Sequence, residues 1–320
     1  MKTASANIEL SVVVPCYNEG QNIAQLCKEV VAAVQPLKCA YEIIICDDGS
    51  QDNTARVVKS LAEHDSHLKL LSLSRNFGKE STLAAGISYA SGQAIITIDG
   101  DGQHPPEKIS EFVDKWRAGA QVVVGIRTAN HKEGLVKKYG SKLFYFLFNK
   151  LTREHLTPRT TDFCLISRDV QQEFIRLSEP QRMTRGLIDW LGFQRDFVYF
   201  SARPRLHGTA GYNTRKLISL AASSVVSLSA APLYFFGYVG AFITTGSLLL
   251  GLAVLVEQLI LGDPLAWKFT GTAMLSILLL FVTGIILTSQ GILALYISQI
   301  HGQTKKRPLF VVDKSQSSKF

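Results

Sequence analysis

The chain has 320 residues, enough for one large domain or two modest ones, and 47% are hydrophobic against 19% charged, a high apolar content for a wholly soluble chain. A net charge of +8 raises nucleic-acid binding, but no basic and aromatic motif of that class occurs, and it is set aside. Five cysteines, Cys16, Cys27, Cys39, Cys46 and Cys164, form an odd set without metal-site spacing and fit reduced thiols better than a disulfide framework.

The first predicted strand covers residues 10–14 and runs into Pro15-Cys16-Tyr17-Asn18-Glu19-Gly20, with a helix following over about 22–34. A second apolar run, 41–46, ends in Asp47-Asp48-Gly49-Ser50, and a helix continues to about 61. The third strand, 68–73, leads through Ser74-Arg75-Asn76-Phe77-Gly78-Lys79-Glu80 into a helix ending near 90. The fourth, 94–98, is closed off by Asp99-Gly100-Asp101-Gly102-Gln103-His104-Pro105-Pro106, and a fifth, 121–125, ends in Ile126-Arg127. Each run is too short for a helix and is bounded by turn residues.

Strands alternating with helices imply right-handed βαβ units and a mainly parallel, Rossmann-like α/β sheet. In such sheets ligands bind beyond the carboxyl ends of the strands, and all five runs end in polar or charged residues there. There is no Gly-x-Gly-x-x-Gly after the first strand and no Walker lysine, which argues against ordinary dinucleotide or P-loop binding. The Asp99-Gly100-Asp101 stretch reads two ways on its own. Its paired carboxylates suit Mg2+ or Mn2+ carrying a diphosphate, and it also reads as an acidic surface turn.

The segment 134–151 sets Lys137, Lys138 and Lys142 against Leu143, Phe144, Phe146, Leu147 and Leu151, the pattern of a helix in a membrane interface or of one packed on the sheet. A second amphipathic helix is expected over 213–229. No charged residue occurs over 217–256 or 269–300, and two transmembrane helices are expected near 233–256 and 269–297. No signal peptide is read at the N-terminus, and basic residues flank the two runs. The expected layout is therefore a cytosolic domain over 1–212, spans within 230–300, a cytosolic basic tail over 301–320, and placement in the inner membrane. Two spans form a thin anchor, and Gly237, Gly240, Gly246 and Gly251 offer close-approach surfaces, so a homo-oligomer is expected.

Val12-Val13-Val14-Pro15-Cys16-Tyr17-Asn18-Glu19, Asp47-Asp48-Gly49-Ser50, Arg75-Asn76-Phe77-Gly78-Lys79 and Asp99 to Pro106 together resemble the family 2 glycosyltransferases of GT-A fold. The branch resembled is the polyprenyl-phosphate glycosyltransferases, and the match covers nearly the whole chain. The resemblance implies that Pro15, Tyr17, Glu19, Asp47, Asp48, Lys79, Asp99 and Gly100 serve the nucleotide sugar, and that Asp99, Asp101 and Gln103 surround the divalent metal. His104 is read as a turn residue before Pro105-Pro106 rather than as a ligand. Thr161-Asp162-Phe163-Cys164-Leu165 resembles the family's Asp-Phe-Arg-Leu, with Cys164 where arginine is usual, so one expected cation is unaccounted for. Met183-Thr184-Arg185-Gly186-Leu187 matches a segment expected on the acceptor side. The segment 203–212 resembles a loop whose Ser-Lys is replaced by Ala210-Gly211.

The activity implied is inverting transfer of one hexose, glucose from UDP-glucose being preferred, to a polyprenyl (undecaprenyl) phosphate; GDP-mannose and a UDP-modified arabinose are the other donors considered. Asp162 is the candidate general base, and Arg205 would stabilise the leaving diphosphate beside the metal. Arg127, with Lys137 and Lys138, would hold the acceptor phosphate. A non-catalytic binding protein for nucleotide sugars or lipid carriers is the alternative from another class. A processive synthase is disfavoured because no Gln-x-x-Arg-Trp segment occurs.

Overall fold

The apolar runs of the first half of the chain become strands buried on both faces, as parallel strands covered by helices must be. The computed structural model describes residues 8–128, 160–177, 179, 183–203, 271–305 and 307–318, with a few positions between 238 and 249. The chain divides into two units, and residues 147–153 and 212–306 make up the second.

In the first unit the elements run β1 (Leu10–Cys16), α1 (Ile23–Val34), β2 (Tyr41–Asp47), α2 (Thr54–His64), β3 (Leu68–Ser72), α3 (Lys79–Tyr89) and β4 (Ala94–Thr97). They continue with α4 (Ile109–Arg117), β5 (Val122–Arg127), β6 (Thr160–Ser167), α5 (Arg168–Arg176), α6 (Thr184–Trp190) and β7 (Arg195–Phe200). The seven strands form one sheet in the order β3-β2-β1-β4-β6-β5-β7. β3, β2, β1 and β4 are parallel; β6 pairs antiparallel with both β4 and β5, while β7 is parallel to β5. Six strands thus share a direction and β6 alone opposes them, so the sheet is mixed though mainly parallel.

Alternation along the strands divides the core. Val12, Val14, Ile43, Ile45 and Ile96 pack with α1, α2 and α4 on one face, including Ile23, Val58 and Phe112. Val13, Ile44, Cys46 and Ile95 pack with α3, α5 and α6 on the other, including Leu83, Phe174 and Leu187. α3 lies close to the sheet at Gly86, where a β-carbon would sit 2.3 Å from Val13 Cγ1 and 2.5 Å from Cys46 Sγ.

β3 is an edge strand, and the C-terminal segment covers it. Val312 pairs antiparallel with Leu73. Ser74 N–H donates to Val311 O at 2.9 Å, Asp313 N–H to Ser72 O at 2.9 Å and Ser318 N–H to Leu70 O at 2.8 Å. The hydroxyls of Ser317 and Ser318 accept from the N–H groups of Ser72 and Leu70. Of the basic tail expected over 301–320, residues 307–318 are part of the first unit, whereas 301–305 belong to the second. An open strand edge, which would invite pairing with another chain, is closed this way.

The second unit contains α7 (Gly271–Thr304). Two transmembrane helices are expected from the sequence, and this is corrected: among the described residues no helix is long and apolar enough to cross a membrane. The inner-membrane placement that rested on them falls with it. The expected span at 233–256 lies almost wholly outside the described residues, as do the helices expected at 134–151 and 213–229. The span expected at 269–297 falls largely on α7. There Thr283, Gly284, Thr288, Ser289, Gln290 and Gly291 interrupt the apolar side chains.

Candidate active site at the carboxyl edge of the sheet

Because β1 to β4 are parallel, the segments that follow them meet at one edge. β6 starts at that edge because it runs the other way. Thr97 pairs with Cys164, and continuing the antiparallel register by two residues brings Asp99 level with Asp162. The hydroxyl of Thr97 donates to the Asp162 carbonyl, fixing the start of β6 against the end of β4.

The acids that end β2 are built into the loops. Asp47 accepts from the N–H of Ser50 at 3.2 Å, from the Ser50 hydroxyl, and from Ser72 Oγ at 3.5 Å. Burial pushes its carboxyl above the usual range despite those bonds. Asp48 is 2% exposed and accepts the N–H of Phe77 at 2.7 Å on one oxygen and that of Gly78 at 2.9 Å on the other. It therefore clamps the loop that delivers Lys79. Gly100 does a related job: its N–H donates to Pro15 O at 3.3 Å, and a β-carbon there would lie 2.9 Å from that oxygen. The glycine lets the ends of β1 and β4 close on each other. Tyr17 is exposed at this edge, and Glu19 accepts from Asn22 Nδ2 at 2.7 Å.

At the centre, Lys79 Nζ lies 2.7 Å from Asp99 Oδ1 and 2.7 Å from Asp162 Oδ2. On the other side of Asp162, Arg185 Nε lies 3.0 Å from Oδ1. Burial acts to raise the Asp162 carboxyl, but Lys79 and Arg185 outweigh it and hold it below the usual carboxylate range. The two carboxylates likewise drive Lys79 above the ordinary lysine value against the effect of burial. Arg185 was not singled out from the sequence as a partner of Asp162, yet it brings a cation to the place where Cys164 had left one missing. Cys164 itself is buried beside Thr97.

His104 is a structural post. Its Nδ1 accepts the Asp99 N–H at 3.1 Å, and its ring stacks on Phe163 with centroids 5.2 Å apart. Burial pushes its imidazole below the usual range, which keeps that nitrogen an acceptor.

Asp99, Asp101 and Gln103 sit together on the turn after β4, where Asp101 Oδ1 accepts the Gln103 N–H at 3.1 Å. Two carboxylates and an amide oxygen are hard donors of the kind Mg2+ or Mn2+ takes. Among the described residues no cluster of three or more His, Cys, Asp or Glu side chains could hold a metal. The donor set fits a divalent cation that shares its coordination with a diphosphate. Arg127 is exposed at the end of β5, whereas Arg205, Lys137 and Lys138 lie outside the described residues.

The chain is similar to known proteins. An uncharacterised glycosyltransferase of Synechocystis sp. is 38% identical over 95% of this chain and 95% of its own. A prophage-derived bactoprenol glucosyl transferase of Shigella flexneri is 34% identical over 96% of this chain and 98% of its own. Glucosyl-3-phosphoglycerate synthase of Mycobacterium tuberculosis, solved with Mn2+, UDP and phosphoglyceric acid, shares the fold with a TM-score of 0.51 at 20% identity, over 69% of this chain and 77% of its own. Residues 11–174 match the family described as glycosyl transferase family 2. The chain belongs to that family and is a glycosyltransferase.

Proposed function

We propose that this glycosyltransferase moves glucose from UDP-glucose to a polyprenyl phosphate. The observation that carries this reading is the near full-length likeness, 34% over 308 residues, to a protein named as a bactoprenol glucosyl transferase. The crevice expected at the carboxyl edge of the sheet is chemically suited to it. A phosphate oxygen of the acceptor forms the new bond to the anomeric carbon while the bond to UDP breaks, its electron pair leaving on the diphosphate from the opposite face.

A divalent cation, when bound by Asp99, Asp101 and Gln103, would neutralise charge on that diphosphate. Tyr17, exposed at the end of β1, and the loops clamped by Asp47 and Asp48 would border the nucleotide. Arg127 would meet the acceptor phosphate with a bidentate fork. A phosphate monoester is already anionic at neutral pH, with a second pKa of about 6, so the attacking oxygen needs little help from a base. Asp162, flanked by two cations, suits a fixed electrostatic role better than proton transfer.

The test uses purified full-length chain, undecaprenyl phosphate in detergent, and radiolabelled UDP-glucose, UDP-galactose or GDP-mannose, with Mn2+, Mg2+ or a chelator. Label in the lipid fraction from UDP-glucose, lost with the chelator, is expected. No lipid label from any donor with metal present would overturn the reading, and label from another donor alone would replace glucose.

A further inference from the structure

Asp162 is held from two directions, by Lys79 and by Arg185, and the sequence neighbours of these two, Glu80 and Thr184, bond to each other. α3 opens with Lys79 and Glu80: the lysine meets Asp162 Oδ2, and the glutamate accepts both the N–H of Thr184 at 2.8 Å and its hydroxyl at 2.6 Å. That carboxylate caps α6. The next residue of α6, Arg185, meets Asp162 Oδ1, while its Nη1 donates to Thr160 O at 2.7 Å. One guanidinium therefore grips β6 at its backbone and at a side chain two residues on.

The two grips are unequal. Lys79 is shared with Asp99 and its side chain is half exposed, whereas Arg185 Nε and Asp162 Oδ1 are shut away from solvent. Among the described residues neither of those two atoms has a hydrogen-bond partner, so the ion pair between them is what compensates each. A carboxylate buried this way is fixed in place by its cation and is strongly disturbed when that cation is removed.

We propose that Arg185 is a positioning residue for the transfer reaction: from the start of α6 it fixes the Asp162 carboxylate at the crevice while Lys79 responds to Asp99 and to ligand. This rests on the reading of the crevice as the site of glycosyl transfer. Among the described residues Arg185 bonds to β6, at Asp162 and Thr160, and not to the loops after β1, β2 and β4 that would border the donor, so loss of Arg185 acts on turnover rather than on donor affinity.

The experiment compares wild type, Arg185→Met, Arg185→Lys, Asp162→Asn and the Asp162→Asn/Arg185→Met double variant, all full length. Arg185→Met is expected to lower kcat roughly a hundredfold, the scale of a small misplacement of a reacting group, with the KM for UDP-glucose unchanged. Arg185→Lys keeps the charge but not the fork and should recover part of the loss. Wild-type kcat in Arg185→Met, or a loss confined to donor KM, overturns the inference. Urea unfolding of the same set supplies a second readout that needs no turnover: the two single effects should be non-additive, and strict additivity also overturns it. If wild type labels no lipid, the proposed function fails, and the urea cycle still decides whether Arg185 holds Asp162.

Discussion

Replacing Asp48 by alanine tests how the proposed nucleotide side of the sheet edge is built. The side chain is buried, and its two oxygens accept the backbone N–H groups of Phe77 at 2.7 Å and Gly78 at 2.9 Å. Removing it leaves two amide donors facing a space that only water can fill. Hydrogen bonds to a charged group contribute about 1.5–3 kcal/mol each, and water entering at the partly exposed loop should restore some of that, so a loss of roughly 2–4 kcal/mol is expected. With a urea slope of about 2 kcal/mol per M, the midpoint of unfolding falls by roughly 1–2 M. Lys79 follows directly on the clamped loop, so the same variant should bind donor more weakly, read by titration calorimetry with UDP-glucose and Mn2+. An unchanged urea midpoint together with weakened donor binding would refute the clamp and make Asp48 a direct contact to the nucleotide.

Gly86→Ala should lower the melting temperature, because the added methyl would press on Val13 and Cys46 at 2.3 and 2.5 Å. Overpacking of about 1–3 kcal/mol exceeds the gain of up to about 1 kcal/mol from a better helix former, and an unchanged or raised melting temperature would contradict this. Glu42 is buried, which alone would raise its carboxyl, but Lys69, Ser11 and Ser91 outweigh that and hold it below the usual range. The unfolded chain then takes up the proton more readily, so the stability Glu42 contributes is present above about pH 4.3 and is lost as pH falls through its folded value. Glu42→Gln should flatten that acid limb in urea midpoints measured from pH 7 to 3. Deleting residues 308–318 removes the cover of β3, so hydrogen exchange at the Leu70 and Ser72 amides should quicken; exchange at the wild-type rate would show that the tail does not protect the edge.

The first five strands and the helices after the first three of them were legible because each strand is a short, mainly apolar run ended by turn residues, and both signals are local, whereas α4 was not read from the sequence. β6 was harder. Asp162 and Cys164 were noticed as parts of a motif, but nothing local says that the strand runs backwards between β4 and β5. That reversal brings Asp162 level with Asp99, a relation between residues 63 positions apart in the chain. Arg185 was hidden for the same reason, since one sequence does not show that the start of α6 lies under the start of β6. The expected spans rested on two long, mainly apolar runs without charge or a polar stripe, and among the described residues no helix is long and apolar enough to cross a membrane.

The acids at the sheet edge serve different ends, and their partners sort them. Asp47 and Asp48 brace the carboxyl edge of the sheet through Ser50, Ser72, Phe77 and Gly78. Asp162 is balanced by Arg185 and by a share of Lys79, and the remaining share of Lys79 falls to Asp99. Asp101, on the same turn, adds a further negative charge. One lysine thus stands between two carboxylates at the place where the proposed donor would bring an anionic diphosphate. Two like charges 4 Å apart repel by about 4 kcal/mol at an effective dielectric of 20, so an unassisted diphosphate would be turned away from this turn. An acidic turn at a diphosphate site makes physical sense when a divalent cation stands between them, and this electrostatic requirement is the reason the proposed reaction is expected to stop when a chelator is added.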